Sequence, residues 1–125
     1  MNKYRNKKIE IDGITFDSKK EGLRYKELRL FERAGLIKDL KLQTRFELQP
    51  SFKKNNKTIR AITYKADFDY ITKNGEHIVE DVKGYVTKEF ALKKKMFEYK
   101  YQDLELKIIK WQKMTKSERR INESV

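Results

Sequence analysis

The 125-residue chain contains no cysteine and only one proline, one histidine and one tryptophan. The absence of cysteine excludes disulfide bridges, thiolate zinc sites and cysteine nucleophiles. The five glycines are scattered, so the glycine-rich loop of nucleotide-binding proteins is missing as well. No long apolar run occurs either, and we therefore expect no membrane span, no secretory signal and a cytoplasmic location.

Positive charge is what the chain has in excess. Its 31 lysine and arginine residues outnumber 19 acidic residues and give a formal net charge of +12. Such a charge predicts a polyanionic partner, although nucleic acids and anionic membrane surfaces both qualify. The length suits one domain with a modest core, which we expect to span residues 1–125. A mobile basic leader is expected at residues 1–8 and a polar tail at residues 114–125.

The apolar periodicity predicts an α/β fold in the order helix, three strands, helix, strand, with a mixed sheet flanked by helices. The helices are expected from Asp17 or Ser18 to about Ala34, with Gly35 as the stop, and from Thr87 to about Tyr101. The strands are expected at Leu40–Gln49, at Thr58–Ile71 with a bend before Asp67, after the Asn74-Gly75 pair, and at Leu104–Trp111. The second helix would then cross over between two strands of one sheet.

The first helix carries one acidic residue of interest on its inner edge. Its apolar line is expected to contain Leu23, Leu30 and Ala34, with Tyr25, Leu28 and Phe31 beside it. Glu21 shares a face with Tyr25 and Leu28, and Ser18 together with Glu21 fits a capping box. Capping alone is therefore a sufficient structural role for Glu21.

The stretch from Tyr64 to Gly84 predicts two strands joined by a tight turn. A three-residue loop, Lys73-Asn74-Gly75, places Asp67 opposite Asp81 and Lys65 opposite Lys83. It also collects one apolar face, made up of Ala66, Phe68, Tyr70, Ile78 and Val82, and we favour it for that reason. A two-residue loop flips the pairing and makes Glu80 the partner of Asp69 and the rival of Asp81.

In the favoured register, two carboxylates face each other, and like charges at that distance repel. A divalent cation would remove the conflict, because hard oxygen ligands suit Mg²⁺ or Mn²⁺. The alternative is a solvated strand with diagonal Lys65–Asp81 and Asp67–Lys83 ion pairs. Spacing alone does not decide between the two interpretations.

These residues resemble the motif of the PD-(D/E)XK nuclease superfamily, with Glu21 on a helix, Asp67 near a bend and Asp81-Val82-Lys83 on the next strand. Four segments in order (FDSKKE, Gln43 to Gln49, ADFDY and VEDVKG) also resemble a family of small phage-encoded proteins. That family is grouped with Holliday-junction-resolvase-like endonucleases and is often left as a domain of unknown function. One departure is Ala66, which stands where the motif has proline.

The resemblance implies a restriction-endonuclease-like fold and a metal-dependent endodeoxyribonuclease in a phage or its bacterial host, acting in DNA recombination or processing. Its substrate would be DNA, including branched DNA such as Holliday junctions, and a homodimer would cut both strands. Asp67 and Asp81 would hold Mg²⁺ or Mn²⁺ with the Val82 carbonyl and Glu21, the latter through water, while Lys83 would assist the attacking water. The residues expected to contact nucleic acid are Lys93, Lys94, Lys65 and Gln43.

Other interpretations are compatible with the same residues. A non-catalytic DNA- or RNA-binding protein would keep the fold without the reaction, and a structural phage protein would use its charge in packaging. Lys93 and Lys94 also fit a solvated helix face, and Gln43 fits a surface position. The basic segment Ser51–Lys57 is expected to be a turn that is either solvated or facing DNA. His77, near the predicted turn, is expected at the surface rather than at a catalytic site.

Overall fold

Two helices and ten short strands make up residues 7–110, the part of the chain that this computed structural model describes. In chain order they are β1 (Ile9–Ile11), β2 (Ile14–Phe16), α1 (Lys19–Arg33), β3 (Ile37–Leu42), β4 (Arg45–Gln49), β5 (Phe52–Lys54), β6 (Lys57–Ile59), β7 (Ile62–Lys65), β8 (Phe68–Thr72), β9 (His77–Lys83), α2 (Lys88–Lys100) and β10 (Glu105–Lys110). The first six residues of the predicted leader, the predicted tail at 114–125 and the predicted strand end at Trp111 lie outside the described residues.

A four-stranded mixed sheet with the order β10-β9-β8-β3 forms the centre. β10 pairs with β9 in parallel, whereas β8 pairs antiparallel with both β9 and β3. Parallel neighbours need a crossover connection, and α2 supplies it between β9 and β10. The predicted α/β class and mixed sheet are therefore confirmed.

The first predicted core strand is broken rather than continuous, and that prediction was wrong; the second has the predicted bend before Asp67 but is also interrupted before β7. The segment 40–49 is divided between β3 and β4, and the segment 58–71 is divided among β6, β7 and β8. Yet one antiparallel register runs through the break, with Leu42 opposite Phe68 before it and Arg45 opposite Lys65 after it. The two ladders are thus one pairing with a bend.

Backbone hydrogen bonds carry the pairing across the bend. The Gln43 N–H donates to the Asp67 carbonyl at 3.0 Å, and the Ala66 N–H donates to the Thr44 carbonyl at 2.9 Å. Gln43 adopts a positive φ of 55°, a conformation that turns the chain out of the extended path. The bend therefore leaves Asp67 at the junction of the two ladders.

Both faces of the central sheet are covered. α1 and the β1–β2 hairpin pack on one face over a cluster of Phe16, Tyr25, Leu28, Ile37, Phe68, Tyr70 and Ile78. α2 and the β4–β7 pair enclose a second cluster of Phe46, Leu48, Tyr64, Ala66, Val79, Phe90 and Phe97. Ala66 was predicted on the same face as Phe68, and this was wrong because the bend between them interrupts the alternation of side chains.

The helix boundaries are close to those predicted. The Ser18 Oγ accepts the Glu21 N–H at 3.2 Å, and the Thr87 Oγ1 accepts the Phe90 N–H at 3.1 Å, so both helices are capped by side chains. Within residues 7–110, neither helix is long and apolar enough to cross a membrane.

The predicted apolar line of α1 was wrong. Leu23 and Leu30 are 44% and 39% exposed, whereas Glu21, Gly22, Tyr25 and Leu28 are buried. The β1–β2 hairpin covers this side of the helix. It packs so closely that a Cβ on Gly22 would lie only 2.9 Å from the Ile11 Cδ1. The covering hairpin, which was predicted only as a single short strand or arm, decides which face is buried.

Candidate metal centre

The turn between β8 and β9 has the predicted three-residue loop. Phe68 lies opposite Glu80 and Tyr70 opposite Ile78, and the Thr72 N–H donates to the Glu76 carbonyl at 2.8 Å. Gly75 has a φ of +88°, which glycine adopts without steric conflict. Continuing this register toward the bend brings Asp67 opposite Asp81, as the favoured pairing requires.

The carboxyl groups of Asp67 and Asp81 lie next to each other in a buried setting. They are close enough to share a hydrogen bond, and Asp81 is only 2% exposed. Burial, followed by the negative charge of Asp81, raises the pKa of Asp67 to about 8. Two carboxylates in this position cannot both remain ionised without a compensating positive charge.

Each of the two carboxyl groups is held by a donor. The Val82 N–H donates to Asp67 Oδ2 at 2.8 Å, and the Tyr64 hydroxyl donates to Asp81 Oδ2. Burial and the charge of Asp81 raise the pKa of Tyr64, which keeps this phenol protonated and donating. Tyr64 was missed by the sequence analysis because its role depends on the bend that brings β7 across β9.

Glu21 joins the pair from α1. Glu21 is 6% exposed. The cap at Ser18 involves the backbone N–H of Glu21 and not its carboxyl group. Burial raises the pKa of Glu21, the negative charges of Asp17 and Asp81 raise it further, and the ammonium groups of Lys65 and Lys83 act in the opposite direction. Glu21 therefore lies within electrostatic reach of the two strand carboxylates, and we call Glu21, Asp67, Asp81 and Lys83 the acidic cluster.

Lys83 contributes the positive charge nearest to Asp81. Its Nζ lies 3.4 Å from Asp81 Oδ1 and 4.6 Å from the centre of the Phe90 ring. The prediction that Lys65 faces Lys83 was wrong, because Lys65 belongs to β7 and lies opposite Arg45. The diagonal ion pairs of the alternative interpretation are replaced by this contact between Lys83 and Asp81 along one strand.

The donor set suits a hard divalent cation. Two carboxylates with a neighbouring backbone carbonyl offer only oxygen ligands, and Mg²⁺ commonly keeps several waters beside one or two carboxylates. In the segment from residue 7 to residue 110, no three acidic or histidine side chains are grouped closely enough to form a complete protein ligand set. Asp67 and Asp81 are the residues that would hold the ion, while the roles of Glu21 and the Val82 carbonyl remain predictions.

Glu80 lies on the opposite face of β9 from Asp81 and is fully buried. Arg24 donates to it twice, from Nε at 2.8 Å and from Nη2 at 2.7 Å, and the Tyr70 hydroxyl donates as well. Glu80 is therefore engaged away from the acidic cluster, and the two-residue loop that would have made it a rival is not formed. The Arg24–Glu80 ion pair also links α1 to β9. Arg24 lies one helical turn after Glu21, and Glu80 directly precedes Asp81.

Asp69 forms a second set of polar contacts, separate from the acidic cluster. Its carboxylate accepts a hydrogen bond from the Thr44 hydroxyl and lies 3.0 Å from His77 Nε2. Asp69 is buried, whereas the His77 side chain is 35% exposed, so His77 lies at the surface as predicted but also contacts a buried carboxylate. Its position near the turn did mark it as separate from the acidic cluster.

The residues predicted to contact nucleic acid are dispersed. Lys93 and Lys94 lie on α2 and form ion pairs with Glu89 (3.5 Å) and Glu98. Gln43 is exposed at the bend, next to the backbone of Asp67. Of the four, Lys65 is the one that acts electrostatically on the acidic cluster, through Glu21.

One surface depression lies away from the acidic cluster. This depression of about 470 Å³ lies between the turn after α1 and the turn after β8, where Glu32, Lys38 and Lys73 contribute to its wall. A polymeric ligand that is contacted through its backbone phosphates needs exposed basic surface rather than an enclosed pocket.

The chain belongs to the family described as protein of unknown function (DUF1064), whose sequence profile matches residues 1–116. This match covers all four segments that carry the resemblance to the small phage-encoded proteins. Comparison with curated proteins and with solved structures found no match.

Asp67→Asn should change how stability depends on pH in metal-free protein. The folded state raises the Asp67 pKa from 3.8 to about 8, so it binds a proton more tightly than the unfolded chain, and this stabilisation is lost as pH rises across that range. Asparagine keeps an acceptor for the Val82 N–H but does not ionise. We expect urea unfolding in EDTA to show the variant gaining about 1–3 kcal/mol relative to wild type between pH 5 and pH 8. A difference independent of pH would contradict this.

Arg24→Met should destabilise the protein by roughly 3–5 kcal/mol, because it leaves the Glu80 carboxylate buried without its partner. Arg29→Met is the control on the same helix: Arg29 pairs with the partly exposed Glu32 and donates to the Tyr25 hydroxyl, so its loss leaves no buried charge unpaired and should cost about 1–2 kcal/mol. Urea unfolding at pH 7 measures both. The double variant Arg24→Met/Glu80→Met should recover most of the loss. Equal stability of the two single variants would show that the buried pair is not what holds α1 to β9.

Proposed function

We propose that the protein is a metal-dependent endonuclease of the PD-(D/E)XK type that hydrolyses phosphodiester bonds in DNA. The observation that carries this proposal is the apposition of Asp67 and Asp81, with the Lys83 ammonium 3.4 Å from Asp81. Burying two carboxyl groups together is unfavourable for a purely structural strand. A catalytic divalent ion would compensate the negative charge of the two carboxylates.

The order of elements supports a restriction-endonuclease-like core. α1 precedes the antiparallel β3, β8 and β9, and α2 then crosses over to a parallel β10. The acidic cluster takes Glu21 from the helix, Asp67 from the bend, and Asp81 and Lys83 from the following strand. This distribution matches the motif order on which the resemblance rests.

The roles of the side chains follow from their contacts. A bound Mg²⁺ or Mn²⁺ would polarise the scissile phosphate and lower the pKa of a water molecule. Asp67 and Asp81 would hold the ion, each oriented by its donor, the Val82 N–H or the Tyr64 hydroxyl. Glu21 and the Val82 carbonyl would complete the coordination, Glu21 through water. Lys83 would orient the attacking water or stabilise the charge that develops on the phosphate.

The substrate class follows from charge together with the family resemblance. A net charge of +12 favours a polyanion, and contacts to backbone phosphates give affinity without base specificity. Branched DNA, such as a Holliday junction, is the substrate that the resemblance suggests, in phage DNA recombination or processing. Cutting two strands symmetrically would require a homodimer.

A non-catalytic nucleic-acid-binding protein is the second candidate. The contact between Lys83 and Asp81 favours it, because an internal ammonium already offsets part of the negative charge. Such a protein would keep the fold and the basic surface without hydrolysing its ligand.

Purified protein should nick or cut at least one of supercoiled, single-stranded and four-way-junction DNA with Mg²⁺ or Mn²⁺, and EDTA should abolish the cutting. Asp81→Asn, Lys83→Ala and Glu21→Gln should each reduce the rate about 100-fold or more, because each removes a group that acts on the reacting phosphate. Binding measured in EDTA should survive.

Asp103→Asn and Lys95→Ala are the matched controls for that experiment, since both residues are exposed and lie outside the acidic cluster. They should cut at the wild-type rate. Cutting that persists in EDTA or in Asp81→Asn would contradict the proposal. Metal-independent binding without cutting of any substrate would favour the second candidate.

A further inference from the structure

The β5–β6 hairpin is the most exposed element of the described chain. The segment predicted as a turn forms a two-stranded antiparallel ribbon. Every residue from 51 to 60 is exposed, so the ribbon contributes nothing to either apolar cluster. Asn55 and Asn56 make its tip with positive φ values of 51° and 62°. At its base, Phe52 lies opposite Ile59, a cross-strand pair that stiffens the ribbon.

The charge of this ribbon has one sign. Between Gln49 and Asp67 there is no acidic residue, and the cations there are Lys53, Lys54, Lys57, Arg60 and Lys65. Lys54 lies directly opposite Lys57, and Lys65 lies opposite Arg45, so two cross-strand pairs bring like charges together. Such pairs are destabilising unless an external anion compensates them.

Three lysines of α2 differ from those of the ribbon. On α2, Lys93, Lys94 and Lys100 have the carboxylates of Glu89, Glu98 and Glu47 within ion-pair distance. Among the ion pairs formed within residues 7–110, none includes a cation of the ribbon. The ribbon therefore carries four cations and no carboxylate on an element that protrudes from the fold.

This element is connected to the acidic cluster by β7. The chain runs from Arg60 through β7 to Lys65, whose charge lowers the pKa of Glu21. Five residues of extended chain span about 17 Å, which is roughly half of a DNA helical turn. A duplex contacting the ribbon would therefore reach the acidic cluster within one turn.

We propose that the β5–β6 hairpin is an arm that binds duplex DNA in its major groove and seats the flanking duplex beside the acidic cluster. The B-form major groove, about 12 Å wide, admits a two-stranded β-ribbon. The major groove of A-form RNA is too deep and narrow for side chains to reach, so the ribbon selects DNA. Its lysines lie along the sides of the ribbon, where phosphates flank the groove, and the uncharged asparagines lie at the tip.

The claim that the arm brings DNA to the acidic cluster rests on the proposed nuclease function. The claim that the arm binds DNA does not, because binding does not require catalysis. The test compares two triple variants with the same loss of charge. One is Lys53→Gln/Lys54→Gln/Lys57→Gln on the ribbon, and the control is Lys88→Gln/Lys95→Gln/Lys100→Gln on α2, three exposed lysines outside the predicted nucleic-acid contacts. Circular dichroism and thermal unfolding establish that both variants fold.

Fluorescence anisotropy in EDTA, over a series of salt concentrations, measures affinity for a duplex of about 30 base pairs. The ribbon variant should bind at least about 10-fold more weakly at physiological salt. The slope of log affinity against log salt should decrease in magnitude by about 2–3, because each lost phosphate contact removes about 0.9. The α2 variant should bind like wild type. Equal losses in the two variants, or no loss in either, would overturn the proposal.

Duplex RNA of the same sequence tests the groove. The ribbon substitutions should matter less for RNA than for DNA, and an equal effect on both would overturn the assignment to the major groove. A second measurement uses the absence of cysteine, since Thr58→Cys on the ribbon and Lys95→Cys on α2 each create a unique site for a tethered iron–EDTA group. Cleavage of the duplex from position 58 but not from position 95 is expected, and the reverse or equal cleavage would contradict the arm.

The arm and the nuclease can fail separately. If the arm is wrong but the nuclease is right, the ribbon variant binds normally and EDTA-sensitive cutting persists. If the nuclease is wrong but the arm is right, no substrate is cut and the salt dependence still changes in the ribbon variant.

Discussion

The burial of Asp67 against Asp81 is the constraint on which the rest of the structure depends. Placing two carboxyl groups together in a buried setting is unfavourable, and their burial raises the pKa of Asp67 to about 8. The fold tolerates this because the strands that carry them are fixed by other means. Apolar clusters cover both faces of the sheet, and the buried Arg24–Glu80 pair secures α1 against β9. The Val82 N–H and the Tyr64 hydroxyl then hold each carboxyl in place.

Local chemistry made part of this arrangement predictable from sequence. The Asn74-Gly75 pair indicated the turn, the segregation of apolar residues selected its register, and Ser18 and Thr87 marked the helix starts. The bend before Asp67 was expected, but the break at Gln43 on the paired strand could not be predicted, because Gln43 is not a residue type that signals a positive φ. The long-range partners were equally hidden. Arg24 and Glu80 are 56 positions apart, and nothing in the spacing of either residue indicates the other.

The net charge illustrates the same limit in another way. A total of +12 predicts a polyanionic partner but carries no information about where that partner binds. The helix that looked most basic, α2, has much of its charge offset by neighbouring glutamates. The segment expected to be a basic turn carries three lysines, none of which forms an ion pair within residues 7–110. The number of lysines in a segment therefore does not show whether the segment binds an anionic ligand. The ion pairs that its lysines form in the fold are more informative.

The bend and the β5–β6 hairpin differ in how much variation in length they permit. Because one register passes through the bend, an added residue between Leu42 and Arg45 would invert the side chains of β4 and remove Phe46 from its contact with Tyr64. The hairpin leaves and re-enters the fold between β4 and β7, which are neighbours, so residues added in pairs at its tip would leave both anchoring strands in place. Reach toward a ligand can thus vary among members of the family independently of the geometry around the carboxylates.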